Sequence, residues 1–229
     1  MAVQTEVKEG SSVSEERLKP MANRAYEDLF QKIVYCEYAP GQEINEKQLV
    51  EETGFGRTPL REALLLLKKE GMVDIFPRKG MRISTLTEKS VSDLYQARKL
   101  IEPAVMVEYK TLYSKSKLLQ FQQRFQQATQ AKDLDRFLLD IEFHSYLISI
   151  MDNSVLMEMY NNLMVIQVRL AMYASLHDAP DSREDDMAQH SAIIDALLRE
   201  NETDIRDTTI LHINHSMIRS LNAIRATRP

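Results

Sequence analysis

The stretch that decides the fold of this chain is Gly54-Phe55-Gly56-Arg57-Thr58-Pro59-Leu60-Arg61-Glu62-Ala63-Leu64, which continues to Gly71. Thr58 suits the N-cap of a helix, and Pro59 suits the first helical position, where a missing N–H costs nothing. Gly71 supplies a left-handed stop after the helix. The apolar residues between these ends recur at helical spacing and predict a buried stripe, formed by Leu60, Ala63, Leu64 and Leu67.

Polar residues at the start of this predicted helix lie off the buried stripe. Arg57, Thr58 and Arg61 are grouped in its first turn. The second helix of a helix-turn-helix offers its first turn to the edges of DNA bases. The alternative is a surface helix with ordinary arginines, and the neighbouring segments argue against it.

Those neighbouring segments predict a winged helix, that is, three helices followed by a β-hairpin. Asn45 and Gln48 have the spacing of a capping box, and the short helix that they start ends about four residues before the next one, as in a helix-turn-helix. A cationic turn, Pro77-Arg78-Lys79-Gly80, joins two predicted strands. The elements predicted around the deciding helix are the helices Met21–Tyr35 and Glu46–Thr53 and the strands Val73–Phe76 and Met81–Ser84.

The composition is that of a globular protein of one or two domains, with 229 residues, 44% of them hydrophobic and 28% charged. The longest purely apolar run, Ala63–Leu67, is far too short to cross a membrane, and the N-terminus lacks the apolar core of a signal peptide. We therefore expect a cytoplasmic protein. The single cysteine, Cys36, excludes an internal disulfide, and we expect it to be a small core residue.

Charge is distributed unevenly along the chain, although the net charge is only −5. Residues 57–82 carry seven Lys or Arg against three Asp or Glu, whereas residues 87–229 carry 16 against 20. A local basic stripe on an acidic body suits contact with phosphates at one place only.

The chain is predicted to be mainly α, with an N-terminal winged helix-turn-helix and an all-helical bundle. We expect a mobile polar tail at residues 1–19, the winged helix at 20–84, a linker at 85–87 and the bundle at 88–229. Pro103 falls inside the first bundle helix and is expected to kink it. The predicted bundle helices are Glu88–Tyr113, Ser116–Gln130, Leu134–Met151, Val155–Ala174, Glu184–Arg199 and Glu202–Ala226.

Four potential metal ligands occur in the bundle. Asp140 and His144 are four residues apart on an apolar helix face, where a carboxylate is costly unless it is paired or bound to a metal. His190 also lies among apolar residues. His190 and His212 are equally far in sequence from Asn201, so an antiparallel helical hairpin that turns at Asn201 places them side by side. His212 lies opposite the apolar stripe of its own helix, so it faces either a polar cavity or water. One carboxylate and three imidazoles suit Zn²⁺, Ni²⁺ or Mn²⁺.

The N-terminal region resembles the GntR family of bacterial transcription regulators. The resemblance rests on Pro40-Gly41, the stretch from Gly54 to Leu64, Glu70-Gly71 and Arg78-Lys79-Gly80, although Phe55-Gly56 replaces the usual Val-Ser. It implies that Arg57, Thr58 and Arg61 touch DNA in the major groove. It also implies that the wing residues Arg78, Lys79 and Gly80 contribute contacts to the backbone or minor groove.

Residues 87–226 resemble the metal-binding branch of the FadR subfamily, whose effector domain is called FCD. The matching pieces are Ala97-Arg98 with Glu102, Asp140-x-x-Phe143-His144, Asn153, Gln189-His190 and His212, with Gln189 standing where glutamate is common. The resemblance implies Asp140, His144, His190 and His212 as metal ligands. Arg98 and Arg169 are candidates to clamp an effector carboxylate. The alternative for Arg98 is a pair with Glu102 on the same helix.

These features predict a transcription regulator, a repressor or an activator, that binds double-stranded operator DNA as a homodimer. A small organic acid at the metal-centred site would control its affinity for the operator. Two alternatives remain open at this point, a regulator that senses the metal itself and a metal-dependent hydrolase. We expect no enzymatic activity.

Overall fold

The computed structural model describes residues 20–76, 80–128, 133–177 and 183–226, and these form two compact units that divide between Leu86 and Thr87. The predictions for the tail at 1–19 and for Arg78 and Lys79 in the turn lie outside the described residues. No helix among the described residues is long and apolar enough to cross a membrane.

The first unit is a winged helix, as predicted. Its elements are α1 (Met21–Val34), β1 (Glu43–Ile44), α2 (Glu46–Thr53), α3 (Arg57–Lys69), β2 (Val73–Phe76) and β3 (Gly80–Ile83). The strand β1 was not predicted, because two residues are too few to show an alternating pattern. It extends the hairpin to an antiparallel sheet of order β1-β3-β2, in which Ile44 and Ile75 both pair with Met81.

The predicted apolar stripe of α3 forms the core of this unit. Leu60, Ala63, Leu64 and Leu67 are all buried, and so are Ala25, Leu29 and Ile33 of α1, which packs against α3. The burial of one face leaves the opposite face of α3 outside the core. The hydrophobic effect therefore fixes which residues of α3 point outward.

Of the predictions for the two ends of α3, the one for the start was wrong and the one for the end was confirmed. The helix begins at Arg57 with Gly56 as the N-cap, so the prediction that Thr58 is the N-cap was wrong. Pro59 lies two positions further into the helix than predicted, which it tolerates because no N–H of the first turn has an intrahelical partner. Gly71 adopts a left-handed φ of 73° just after the helix, which confirms the predicted stop.

Two other local predictions also needed correction. Asn45 caps α2 by accepting a hydrogen bond from the Gln48 backbone N–H, but the Gln48 side chain donates to Glu52 instead of completing a capping box. Cys36 is half-buried at a left-handed φ of 56° rather than part of the core, because α1 ends at Val34, before reaching it.

The second unit is all-helical in its described residues, as predicted. The predicted helix Glu88–Tyr113 ends at Glu108 and is followed by a 3₁₀ turn at Lys110–Leu112; Pro103 lies buried inside it. The helices are α4 (Glu88–Glu108), α5 (Lys115–Gln127), α6 (Asp133–Ser149), α7 (Ser154–His177), α8 (Arg183–Arg199) and α9 (Glu202–Ala226). The side chain of Asn153 caps α7 by accepting a hydrogen bond from the Leu156 N–H.

Aromatic side chains from α5 and α6 form much of the core of the second unit. Phe121 and Phe125 make edge-to-face contacts with Phe143, at ring-centroid distances of 5.3 Å in both pairs. Leu147 and Ile193 are buried in the same core. This packing fixes α6, which carries two of the predicted metal ligands.

A test of the second unit concerns its first helix cap. The Thr87 hydroxyl accepts from the Ser90 N–H at 3.1 Å, so Thr87→Ala should lower the free energy of unfolding by about 1 kcal/mol. Thr87→Ser keeps the acceptor and should remain close to the parent protein. Urea unfolding followed by circular dichroism measures both, and an equal loss in the two variants would contradict this role of the hydroxyl.

Candidate functional site

The first turn of α3 presents the predicted DNA-contacting side chains on the surface of the first unit. Arg57 and Thr58 are exposed, and the side chain of Arg61 is 68% exposed. All three lie away from the buried stripe of the same helix. The geometry therefore leaves this turn accessible to a groove of DNA.

A contact with α2 restrains Arg61. Its Nε donates to Oε2 of Glu46 at 2.9 Å, so the two helices of the helix-turn-helix are joined by an ion pair. An exposed ion pair adds little to stability, and its main effect here is on the direction of the guanidinium. We did not predict this pair, because Glu46 and Arg61 are 15 residues apart and only the turn brings them together.

The hairpin supplies the described part of the predicted wing. Gly80 is exposed at a left-handed φ of 98°, which glycine adopts without strain. The neighbouring Arg82 packs its guanidinium 5.1 Å from the centre of the Phe76 ring and pairs with Asp74 at 3.3 Å.

In the second unit, three helices bring the four predicted metal ligands together. Asp140 and His144 come from α6, His190 from α8 and His212 from α9, and one ligand atom of each lies within 4.8 Å of all the others. Oδ1 of Asp140 is 2.7 Å from Nε2 of His190 and 3.6 Å from Nε2 of His144. The Nε2 atoms of His144 and His212 are 3.2 Å apart. We call these four residues the ligand cluster.

The structure also decides which way His212 faces. Its side chain is buried in the ligand cluster, with its ring centre 4.4 Å from that of His190. The buried face of α9 includes the small polar residues Thr209, Ser216 and Ser220, so the apolar stripe on which the sequence analysis relied marks only part of the buried surface.

A buried carboxylate contacts the side of His144 that faces away from the ligand cluster. Oε1 of Glu102, on α4, accepts from Arg98 Nε at 2.5 Å and from the Tyr160 hydroxyl at 2.9 Å. Its Oε2 lies 2.9 Å from Nδ1 of His144. The negative charge beside Nδ1 favours a proton on that nitrogen, which leaves the Nε2 lone pair of His144 directed at the cluster.

The electrostatics keep both carboxylates ionised. Burial alone would raise the pKa of Glu102, but Arg98 and then His144 outweigh it and hold that pKa well below its usual range. Burial opposes ionisation of Asp140 in the same way, and the nearby imidazoles of His144 and His190 hold its pKa well below the usual range. Burial lowers the pKa of His212, and the neighbouring imidazoles lower it further. A neutral imidazole is the form that binds metals.

Arg98 and Arg169, the predicted effector-binding residues, are not among the residues that line the cavity beside the ligand cluster. Arg98 is completely buried in its pair with Glu102, which is the alternative that the sequence left open. Arg169 is buried on α7. Neither position places its guanidinium at the cavity wall.

The cavity beside the ligand cluster has a volume of about 20 Å³. Sequence analysis missed its two arginines, Arg136 and Arg219. Arg136 precedes Asp140 by one helical turn and Arg219 follows His212 by two, so their helical spacing from the predicted ligands was the available signal. The lining consists of Arg136, Phe137, Asp140, Gln167, Ala171, Met187, His190, His212, Ser216 and Arg219.

The ligand cluster fits a divalent transition metal in both chemistry and spacing. Two ligand atoms bonded to one Zn²⁺ at about 2.1 Å lie roughly 3–3.5 Å apart. The separations of 2.7, 3.2 and 3.6 Å between the cluster atoms are close to that range. The imidazole of His212 is buried with its Nε2 among these ligand atoms, so metal coordination by Nε2 would offset part of the cost of burying the ring.

Two family patterns match the chain, one in each unit. The pattern described as "Bacterial regulatory proteins, gntR family" matches residues 21–83, and the one described as "FCD domain" matches residues 93–215. The first match contains α3 and the hairpin. The second contains all four residues of the ligand cluster.

Individual proteins show the same similarity over both units. The chain is 28% identical over 199 residues to the HTH-type transcriptional repressor RspR of Escherichia coli K12, covering 85% of this chain and 86% of the relative. It is 27% identical over 198 residues to the uncharacterized HTH-type transcriptional regulator YdhC of Bacillus subtilis 168, covering 83% and 86%. The solved structure of E. coli McbR/YncC has the same fold, with a TM-score of 0.73 at 17% identity, covering 90% of this chain and 99% of that one.

The role of Glu102 can be tested against a matched surface pair. Glu102→Gln leaves Arg98 buried without its counter-charge and should destabilise the protein by about 3–5 kcal/mol. Glu142→Gln removes the partner of Arg124 in a half-exposed pair and should cost less than about 1 kcal/mol. Urea unfolding of both variants measures the difference, and similar losses would show that Glu102 does not act as the buried counter-charge.

Proposed function

This chain belongs to the GntR family of bacterial transcription regulators, with an FCD domain after its DNA-binding domain, and on that premise we propose that a metal-centred effector site controls its affinity for an operator. The observation that carries the proposal is the convergence of Asp140, His144, His190 and His212 beside a cavity in the FCD domain. Since the family and the named relatives are regulators, the metal-dependent hydrolase considered from the sequence is not retained.

For DNA recognition, we assign the base contacts to the first turn of α3. Arg57 and Arg61 are cationic and exposed, and an arginine fork can pair with the acceptor edge of guanine in the major groove. Thr58, between them, offers a hydroxyl to a base or phosphate. Arg78, Lys79 and Gly80 in the wing would contact the DNA backbone or minor groove.

One recognition helix covers only half of a typical operator, so we propose that the protein acts as a homodimer on a palindromic site in the cytoplasm. Effector binding to the FCD domain would change operator affinity by a coupling free energy of about 1–3 kcal/mol, which is 5–150-fold. Repression is the mode that the name of the relative RspR suggests.

For the effector site, we assign the metal to the ligand cluster and the effector to the adjacent cavity. Asp140, His144, His190 and His212 would hold Zn²⁺, Ni²⁺ or Mn²⁺. The bound ion supplies a concentrated positive charge that attracts a carboxylate of an organic acid. Glu102 keeps His144 oriented for this role by contacting the opposite nitrogen of its ring.

The size of the cavity favours one second candidate, a regulator that senses the metal itself. A volume of about 20 Å³ is enough for a single water or ion and too little for an organic acid without rearrangement. Titration of operator binding with the metal alone separates the two. A full response without an organic acid would identify a metal sensor.

Metal binding can be tested with two histidines on the same helix. His212→Ala should reduce the content of the untagged protein from about one divalent ion per chain to nearly none, because a buried ligand is lost. His215→Ala, three residues on, is exposed and outside the ligand cluster, and it should keep the metal. Elemental analysis measures both; a metal-free parent protein, or equal loss in the two variants, would refute the site.

The assignment of base contacts to α3 can be tested with two basic residues at opposite ends of this helix. Arg61→Ala should remove about 1–3 kcal/mol of discrimination between the operator and single-base variants of it. Lys68→Ala, at the exposed C-terminal end, should leave that discrimination unchanged. Fluorescence anisotropy on duplexes selected from a random pool measures both, and an unchanged specificity ratio in Arg61→Ala would overturn the assignment.

A further inference from the structure

We propose that Glu46 is a positioning residue for the reading of DNA bases, which holds one edge of the Arg61 guanidinium so that its two terminal nitrogens are presented to a guanine. This role rests on the proposed function, which assigns base contacts to the first turn of α3. It adds a residue of α2 that acts through Arg61 and was not among the site residues predicted from the sequence.

The ion pair divides the guanidinium of Arg61 into a bound edge and a second end. Nε donates to Oε2 of Glu46 at 2.9 Å, and the two terminal nitrogens take no part in this pair. Guanine presents N7 and O6 together in the major groove, and two N–H groups of one arginine fit both acceptors. The terminal nitrogens can supply these two groups while Nε keeps its contact. The pair with Glu46 is therefore compatible with base reading.

Glu46 is the better anchored of the two partners. Its side chain is 28% exposed, whereas that of Arg61 is 68% exposed. It is the first residue of α2, directly after the N-cap Asn45, and the preceding Ile44 is buried and pairs with Met81 in the sheet. A carboxylate in the first turn of a helix is also favoured by the helix dipole. The pair therefore restricts mainly the motion of Arg61.

This restriction should affect operator binding and general DNA binding in opposite directions. A long side chain loses conformational freedom when it binds a base, and Glu46 removes part of that freedom from Arg61 before DNA arrives. The gain in affinity applies only where the base offers the matching acceptors, so it increases discrimination. The negative charge of Glu46 opposes binding to phosphates of any sequence.

The variant Glu46→Ala in the full chain tests the proposal, with fluorescence anisotropy at a fixed salt concentration. We compare a duplex selected from a random pool by the parent protein with its single-base variants. At the guanine that Arg61→Ala no longer distinguishes, Glu46→Ala should lower the specificity ratio about 2–12-fold, because ordering Arg61 then opposes binding. Binding to a duplex of scrambled sequence should not weaken, since a negative charge is removed.

Two further variants separate orientation from charge. Glu46→Gln removes the charge but keeps an oxygen that can accept from Nε, so it should retain most of the specificity ratio. Glu51→Ala removes the same charge from the same helix, where Glu51 pairs with Lys47 at 3.7 Å, and it should leave the ratio unchanged.

The other outcomes would overturn the role of Glu46. An unchanged ratio in Glu46→Ala, or tighter binding to the selected duplex and its variants alike, would show that Glu46 only repels DNA. An equal loss of binding to the selected and scrambled duplexes would show a structural role. If Arg61→Ala itself leaves discrimination intact at every position, the assignment of base contacts to Arg61 fails as well.

Discussion

The second unit depends on the buried carboxylate of Glu102. It receives Arg98 from its own helix, the Tyr160 hydroxyl from α7 and the imidazole of His144 from α6. A carboxylate at zero exposure is tolerated only when donors surround it, so these helices must meet in one arrangement. The same carboxylate sets the direction of His144, and through it the geometry of the ligand cluster.

The ion pairs of the two units have different roles. The pair of Glu102 and Arg98 is fully buried, so the loss of one partner lowers the free energy of unfolding. The pair of Glu46 and Arg61 is largely exposed, and it restricts the orientation of a side chain that must remain accessible. Burial, rather than the type of residue, decides which of these roles an ion pair has.

The sequence allowed most of the fold to be predicted, because helix signals are local. The stripe of α3 and the stop at Gly71 depend on residues within one helix, and both were confirmed. The prediction of an N-cap at Thr58 was wrong because the helix already begins after Gly56, whose carbonyl accepts from the Leu60 N–H. The direction of His212 could not be derived from apolar periodicity, because the face of α9 that is buried carries Ser216 and Ser220.

All four residues of the ligand cluster were among the predicted site residues, whereas the side-chain contacts that join different helices were not predicted. Asp140 and His144 follow from their spacing alone, whereas the contact of Glu102 with His144 joins residues 42 positions apart. Arg136 and Arg219 were missed although each lies whole helical turns from a predicted ligand, because the sequence does not show that α6 and α9 line one cavity. Such contacts exist only after the helices have packed, so one sequence does not reveal them.

The origin of the cluster in three separate helices has a consequence for the lifetime of the protein. An ion that binds only the folded state acts as a cross-link among α6, α8 and α9 and adds about 2.7 kcal/mol at a free concentration 100 times its dissociation constant. Fluctuations that separate these helices would then become rarer as metal becomes available. Susceptibility to proteolysis, and with it the amount of regulator in the cell, would therefore follow the supply of the ion, which limited digestion with and without a chelator would reveal.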